Sequence, residues 1–390
     1  MRANREIIQK LKSAAEKTCR PGEYSLFFAP SRINVIGEHI DYNGGKVLPC
    51  AIEVGTYGYL REIEEPVLRL HSLNNPQYHE VPLDERPDPQ RGWLNYPLGM
   101  LHMLREEGYQ TGGLEGVIFG NIPTGSGLSS SSSLEMLIGF AASHFFNRGE
   151  IAPVTLALLG KRTENEFIGV ASGIMDQFAI AMGKRDHGIL LDTSSLQYRY
   201  VPLDLKDHVF VVLNTKKPRR LVDSKYNERR GECEQALEIL QPLFGIEHLC
   251  ELQREQLAEG LDALPSDLLQ KRTRHCVTEN MRVAEAVQAL ELGNLETLGM
   301  LLNQSHISLR DDYEVTGEHL DAIVEAAWDA GAIGARMTGA GFGGCAIALV
   351  QQQRAGEFIR QVDAKYSSKT GIRGEYFLSR SGNGPERLED

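Results

Sequence analysis

A two-domain α+β protein is what this sequence predicts, and three observations predict it. The chain has 390 residues, enough for two cores. Between Leu114 and Phe146 a strand-like apolar run, a glycine–serine loop and an apolar helical run follow one another directly. From about Asp223 the character changes to long charged helices. The boundary falls within 195–225, giving units 1–205 and 206–390. No Pro- or Gly-rich linker separates them, so tight packing around a small-molecule cleft is expected.

The elements follow in order. MRANREIIQKLKSAAEK is an amphipathic helix of mixed charge. Short strands are expected at Tyr24–Pro30, Val47–Val54, Gly58–Glu62 and Val67–Ser72. A helix near Leu94–Glu107 precedes the strand Leu114–Ile122 and the helix Leu134–Phe146. Helices at Pro153–Phe167 and Met175–Met182 come next, then strands at Gly188–Asp192, Tyr198–Pro202 and the very apolar His208–Asn214. Charged helices are clearest at Tyr226–Leu243, Arg274–Leu292 and Leu295–Ile307. Residues Leu320–Leu378 read helix, strand, glycine turn, strand, helix, strand.

Bulk properties remove several function classes. A formal net charge of −12 argues against non-specific nucleic-acid binding, and a polyanion site would have to make its own positive field. No run of about 18 uncharged apolar residues exists, so no membrane span is expected. The N-terminal helix lacks the continuous apolar stretch of a signal peptide. Six scattered cysteines without a C-x-x-C pair fit a reducing cytoplasm rather than a disulfide or zinc framework.

The loop PTGSGLSSSSSLE, Pro123 to Glu135, is the chemical signal. Gly125 and Gly127 let backbone approach a ligand closely. Ser129 to Ser133 bring hydroxyls and amides to a helix N-terminus, which attracts anions. A flexible linker has the same composition, but linkers rarely join two strongly apolar elements so closely.

Three further constellations stand out. SRINVIGEHIDYNGG, Ser31 to Gly45, packs Arg32, Glu38, His39, Asp41 and Tyr42 into fifteen residues. Acceptors beside a switchable donor suit the hydroxyls of a sugar, although a charged hairpin would look similar. GVASGIMDQ, Gly169 to Gln177, places Asp176 before an apolar helix, either as a cap or held beside a cation. Glu164, twelve residues upstream, reads by pattern alone as an exposed helix residue. GARMTGAGFGGC, Gly334 to Cys345, is either a mobile turn or a second set of amides around an anion. No Walker loop occurs, and GAGFGG leads into a strand, which removes the dinucleotide reading.

Together these stretches resemble the GHMP kinase superfamily and, within it, the galactokinases. The resemblance runs in order from about residue 25 to 350 and includes SGIMDQF and SKYNERRGECE. It implies an N-terminal ribosomal-protein-S5-like α/β domain and a C-terminal ferredoxin-like α+β domain. It implies ATP as co-substrate, Mg²⁺ as cofactor, and phosphorylation of the anomeric hydroxyl of galactose by a cytoplasmic monomer. By carry-over, Asp176 resembles the catalytic base and Arg32 the neighbouring arginine that spreads transition-state charge. Glu38, His39, Ile40, Asp41, Gly173 and Tyr226 match sugar-site positions. Gly125, Ser126, Gly127, Leu128, Ser129, Ser130 and Ser131 match the ATP loop, and Trp93 and Tyr96 match aromatics near adenine. Ser131 and Glu164 match the Mg²⁺ ligands. Ile40 stands where galactokinases commonly carry Thr, and N-acetylgalactosamine kinases share the EHID spelling. Ser132 replaces the usual Ala. Two readings compete: another sugar 1-kinase of the same fold, acting on N-acetylgalactosamine or an arabinose-like sugar, and a non-catalytic sugar sensor on the same scaffold, against which the intact serine loop, Arg32 and Asp176 stand.

Overall fold

The computed structural model describes residues 2–75, 78–123, 125–217 and 222–389. Thr124 of the serine loop and residues 218–221 lie outside them.

The chain opens with helix α1 (Arg2–Thr18), then β1 (Ser25–Asn34), β2 (Lys46–Val47), β3 (Pro49–Ile63), β4 (Val67–Ser72) and β5 (Tyr78–Pro82). Helix α2 (Asn95–Glu106), strand β6 (Gly113–Gly120) and helix α3 (Ser130–Phe146) follow. Next come α4 (Pro153–Arg162), α5 (Met175–Ala181) and strands β7 (His187–Asp192), β8 (Tyr198–Pro202) and β9 (His208–Asn214). The remainder is α6 (Val222–Phe244), α7 (Leu257–Ala263), α8 (Asp267–Glu291), α9 (Leu295–Asp311) and α10 (Gly317–Asp329). It closes with β10 (Gly334–Thr338), β11 (Cys345–Gln351), α11 (Ala355–Thr370), β12 (Glu375–Ser379) and β13 (Glu386–Leu388).

Three sheets organise these elements. The first has strand order β13-β1-β3-β6-β4-β5, antiparallel except for the β4–β6 pair. The second, β10-β11-β9-β12, is antiparallel throughout, and the third is β2-β7-β8. Alternation along β1 explains how the first sheet is covered. Leu26 and Phe28 meet Ile7 and Leu11 of α1 on one face, while Phe27 and Ala29 join the main core on the other. On that second face α3 packs against β1 and β3 with α2, α4 and α5 around it. Its Leu134, Met136, Leu137 and Ile138 are all buried. Each such side chain contributes up to about 1.5–3 kcal/mol on burial. That packing fixes the helix whose N-terminus carries the serine loop.

Two expected strands, Val47–Val54 and Gly58–Glu62, are largely one strand, β3. Its register against β1 shifts between Pro30 and Ser31, opposite Ile52 and Gly55, so the glycine marks a bulge rather than a turn. The helix expected over Pro153–Phe167 stops at Arg162 and widens into a π-helical turn, Thr163–Ile168. Gly169, at φ 88°, ends that turn with its amide on Glu164 O, 2.9 Å away. β5, β13 and α7 were not expected.

Candidate active site

A cleft of about 330 Å³ opens where β1, the serine loop, α5, α6 and the β10–β11 turn converge. Arg32, Glu38, His39 and Asp41 line it from the first signature, and Gly125, Gly127, Ser129, Ser130 and Ser131 from the serine loop. Glu164, Gly173, Asp176 and Tyr226 complete the expected residues there.

The centre of the cleft is an ion pair. Arg32 Nε donates to Asp176 Oδ1 and Nη2 donates to Oδ2, each at 2.7 Å. Arg32 is buried, whereas the Asp176 side chain keeps 29% exposure toward the cleft. Burial opposes the Arg32 charge, but Asp176 more than offsets it and the guanidinium is held above its ordinary value. Arg32 Nη1 also donates to Gly127 O at 3.1 Å, tying the pair to the serine loop.

Ser129 connects the loop to the same carboxylate. It occupies the N-cap of α3 in the left-handed conformation, φ 59°, and makes no capping bond. Its hydroxyl donates instead to Asp176 Oδ2. The first-turn amides of α3 are therefore left without a side-chain cap at the end of a helix dipole. Two residues on, Ser131 Oγ donates to Glu164 Oε1 at 3.3 Å. Glu164 is buried, not exposed, because the π-helical turn swings it inward. Burial, reinforced by the Asp176 charge, raises its carboxyl above the usual range.

The sugar-signature side is held by buried charges. Glu38 accepts from Asn34 Nδ2 at 2.8 Å and from the Gly339 amide at 2.7 Å, and it faces Arg336 Nη2 at 3.4 Å. Burial raises its carboxyl, while Arg336 acts in the opposite direction. Asp41 is pushed up to about 7 by burial and by the charges of Asp176 and Glu38. Gly173 has a steric reason: a Cβ there would overlap the Asp41 carboxylate. Helix α6 supplies Tyr226 and Asn227 to the cleft, and Arg230 Nη1 donates to Ala171 O at 3.1 Å, pinning the loop that carries Gly173.

Five expected residues do not line the cleft. Ile40 is fully buried in the core, so its side chain is not a surface for a sugar substituent. Ser126 and Leu128 point into the protein and support the loop from behind. Trp93, in the 3-10 turn before α2, and Tyr96, in the first turn of α2, pack against the core, with Trp93 edge-on to His79. His39 does line it, but both ring nitrogens are already engaged, by Tyr42 and Ala340, so the switchable donor read from sequence is occupied. The glycine loop after β10 is also less open than expected. The Gly339 amide binds Glu38 and the Phe342 amide binds Val315 O, at 2.7 Å each.

Sequence reasoning missed Glu135 and Gln177. Gln177 lines the cleft beside Asp176, and its amide donates to Glu135 Oε2 at 3.2 Å. Glu135 is fully buried on α3, and burial with the Glu164 charge nearby raises its carboxyl well above the ordinary value. A lone Glu within the apolar run LEMLIGF was the available signal.

Comparison with known proteins agrees with this geometry. Residues 95–184 match the model of the GHMP kinases N terminal domain, and residues 286–368 that of the GHMP kinases C terminal domain. Residues 16–62, which hold Arg32, Glu38 and Asp41, match the galactokinase galactose-binding signature. Galactokinases of Clostridium perfringens and Ligilactobacillus salivarius are each 49% identical over 369 residues, covering 93% of this chain and 95% of theirs. The chain belongs to the galactokinase family. The crystal structure of Lactococcus lactis galactokinase complexed with galactose superposes with a TM-score of 0.94 at 43% identity, covering 98% of this chain and all of that one. Mevalonate kinase from Methanococcus jannaschii, at 21% identity and a TM-score of 0.69, shares the fold alone. The fold is that of a GHMP kinase.

Proposed function

We infer that this protein transfers the γ-phosphoryl group of ATP to the anomeric hydroxyl of D-galactose, giving α-D-galactose 1-phosphate and ADP. The observation that carries the reading is the Arg32–Asp176 pair, set in one cleft between a sugar signature and an uncapped helix N-terminus.

Asp176 is the proposed base. A carboxylate has about four acceptor directions. Arg32 takes two and Ser129 a third, on Oδ2, which leaves Oδ1 with one for the sugar O1–H. The proton passes to Asp176 as O1 bonds to the γ-phosphorus and the bond to the ADP oxygen breaks. Arg32 holds the carboxylate still and lies beside the developing charge. Asp41, Glu38 and Tyr226 are proposed to orient the sugar, and Gly173 makes room for Asp41. The serine loop with the α3 amides is proposed to hold the phosphates. Trp93 and Tyr96 are proposed to flank the adenine; the indole N–H of Trp93 is buried without a protein partner.

Ser131 and Glu164 would hold Mg²⁺. One hydroxyl and one carboxylate form an oxygen set that fits this ion, which shares its remaining positions with phosphate oxygens and water. When bound, Mg²⁺ supplies charge neutralisation at the phosphates.

A cytoplasmic monomer is the accompanying proposal. The six cysteines are unpaired and five are buried, as suits a reducing compartment. Among the described residues no helix is long and apolar enough to cross a membrane.

Coupled ADP release with galactose, 2-acetamido-2-deoxygalactose and arabinose tests the reading. Galactose is expected to be preferred. A preference for the acetamido sugar, or no sugar-dependent release, would overturn it.

A further inference from the structure

His39 sits in a chain of hydrogen bonds whose donor directions are all determined. Its Nε2 lies 3.2 Å from Ala340 O, and a carbonyl only accepts, so Nε2 carries the hydrogen. The ring is neutral, since burial, with the charges of Arg229 and Arg336 nearby, lowers it to about 3. Nδ1 is therefore bare and accepts from Tyr42 Oη at 2.8 Å. Having donated its only hydrogen, Tyr42 accepts from Tyr313 Oη at 2.9 Å, which in turn accepts from Cys233 Sγ at 3.1 Å.

No ring nitrogen of His39 remains for a sugar hydroxyl. What His39 does hold is the turn after β10. Glu38 grips the Gly339 amide and His39 grips the Ala340 carbonyl, two consecutive residues holding two others 301 positions away. That turn presses on the serine loop, where a Cβ on Gly339 would come within 2.8 Å of Gly127 O. His39 is also kept at φ 63°, a backbone region costly for a residue with a side chain.

We propose that His39 is a positioning residue and not a sugar ligand: a neutral latch that fixes the Gly339–Ala340 turn under the serine loop and so sets nucleotide affinity. The identity of the two ligands rests on the galactokinase reading above.

The test measures binding of Mg²⁺–ATP without sugar, and of galactose without nucleotide, to folded His39→Asn and His39→Gln proteins. The Asn amide sits at the level of Nδ1 and does not reach Ala340, whereas the Gln amide reaches the Nε2 position. His39→Asn should weaken nucleotide binding by roughly 5- to 10-fold with a much smaller change for galactose. His39→Gln should restore most of that loss. Weakened galactose binding with nucleotide unaffected, or equal behaviour of the two variants, would overturn the latch. Should His39→Asn not fold, ¹⁵N imidazole spectra of the unmodified protein at pH 7 decide. Nε2–H with a bare Nδ1 supports the latch, and the other tautomer or an imidazolium contradicts it. Unmodified protein that binds nucleotide but not galactose would count against the galactokinase reading alone, with the latch still judged on the nucleotide arm.

Discussion

The two walls of the cleft are built on opposite plans. On the sugar side, Glu38, His39 and Asp41 sit among buried partners, and Glu38 and His39 are each held by at least two protein groups. On the proposed phosphate side, a Cβ on Gly125 would meet nothing within 4 Å, and the N-terminus of α3 has no side-chain cap. A hexose presents fixed hydroxyls in one geometry, which a rigid wall can discriminate by leaving mismatched polar groups unpaired. Phosphates bring strong charge, which a looser ring of amides and a dipole can attract without detailed shape. Asp176 stands where the walls meet, joined to the sugar strand through Arg32 and to the serine loop through Ser129.

The comparison can be broken at its junction, then at each wall. Asp176→Asn should have the largest effect. Loss of the proposed base should cost roughly 10²–10⁴-fold in turnover, with galactose affinity near normal in protein shown to be folded. A variant that retains a tenth of the activity would remove Asp176 from the role. Gly173→Ala strikes the sugar wall alone, because its methyl displaces the Asp41 carboxylate. The KM for galactose should rise at least about tenfold, since a buried hydrogen bond to a charged group contributes about 1.5–3 kcal/mol. The KM for ATP should barely move, and equal rises in both would show that the walls are not separable.

Glu164→Gln strikes the phosphate wall. The Mg²⁺ concentration for half-maximal rate should rise by about an order of magnitude, with sugar affinity measured without nucleotide unchanged. An unchanged Mg²⁺ requirement would place the ion elsewhere.

The smallest effect expected is on stability. The Asp41 carboxyl, ordinarily at 3.8, is raised to about 7, so the folded protein binds this proton more tightly than the unfolded chain. Its stabilising contribution is full below about pH 4 and is lost as pH rises through 7. Asp41→Asn should therefore raise the Tm of the ligand-free protein at pH 8, and the gap should close toward pH 4, while galactose affinity falls. A gap that is the same at both pH values would mean that Asp41 is not the strained carboxylate of the sugar wall.

How much of this was legible depended on whether the signal was local. The serine loop was readable because glycine, hydroxyls and two apolar flanks lie within about thirty residues. The Ser31–Gly45 signature was readable for the same reason. Glu164 was not, since only the π-helical turn carries it inward, and nothing in TENEFI encodes a wide turn by itself. The engagement of His39 depends on Ala340, and that of Glu38 on Arg336, both about 300 positions distant. β13 escaped notice because SGNGPERLED has no apolar alternation; as an edge strand it borrows its register from Leu26–Phe28 of β1. Ile40 misled in the other direction. Its place inside a sugar signature implied contact, while its apolar side chain turned into the core.

A crystal structure of this protein with galactose and an unreactive ATP analogue examines the meeting of the two walls most directly. The anomeric oxygen should lie about 2.6–3.2 Å from Asp176 Oδ1, with the γ-phosphate at the α3 N-terminus on its far side. A sugar bound with that oxygen turned away from Asp176, or a phosphate chain that bypasses the serine loop, would contradict the assignment.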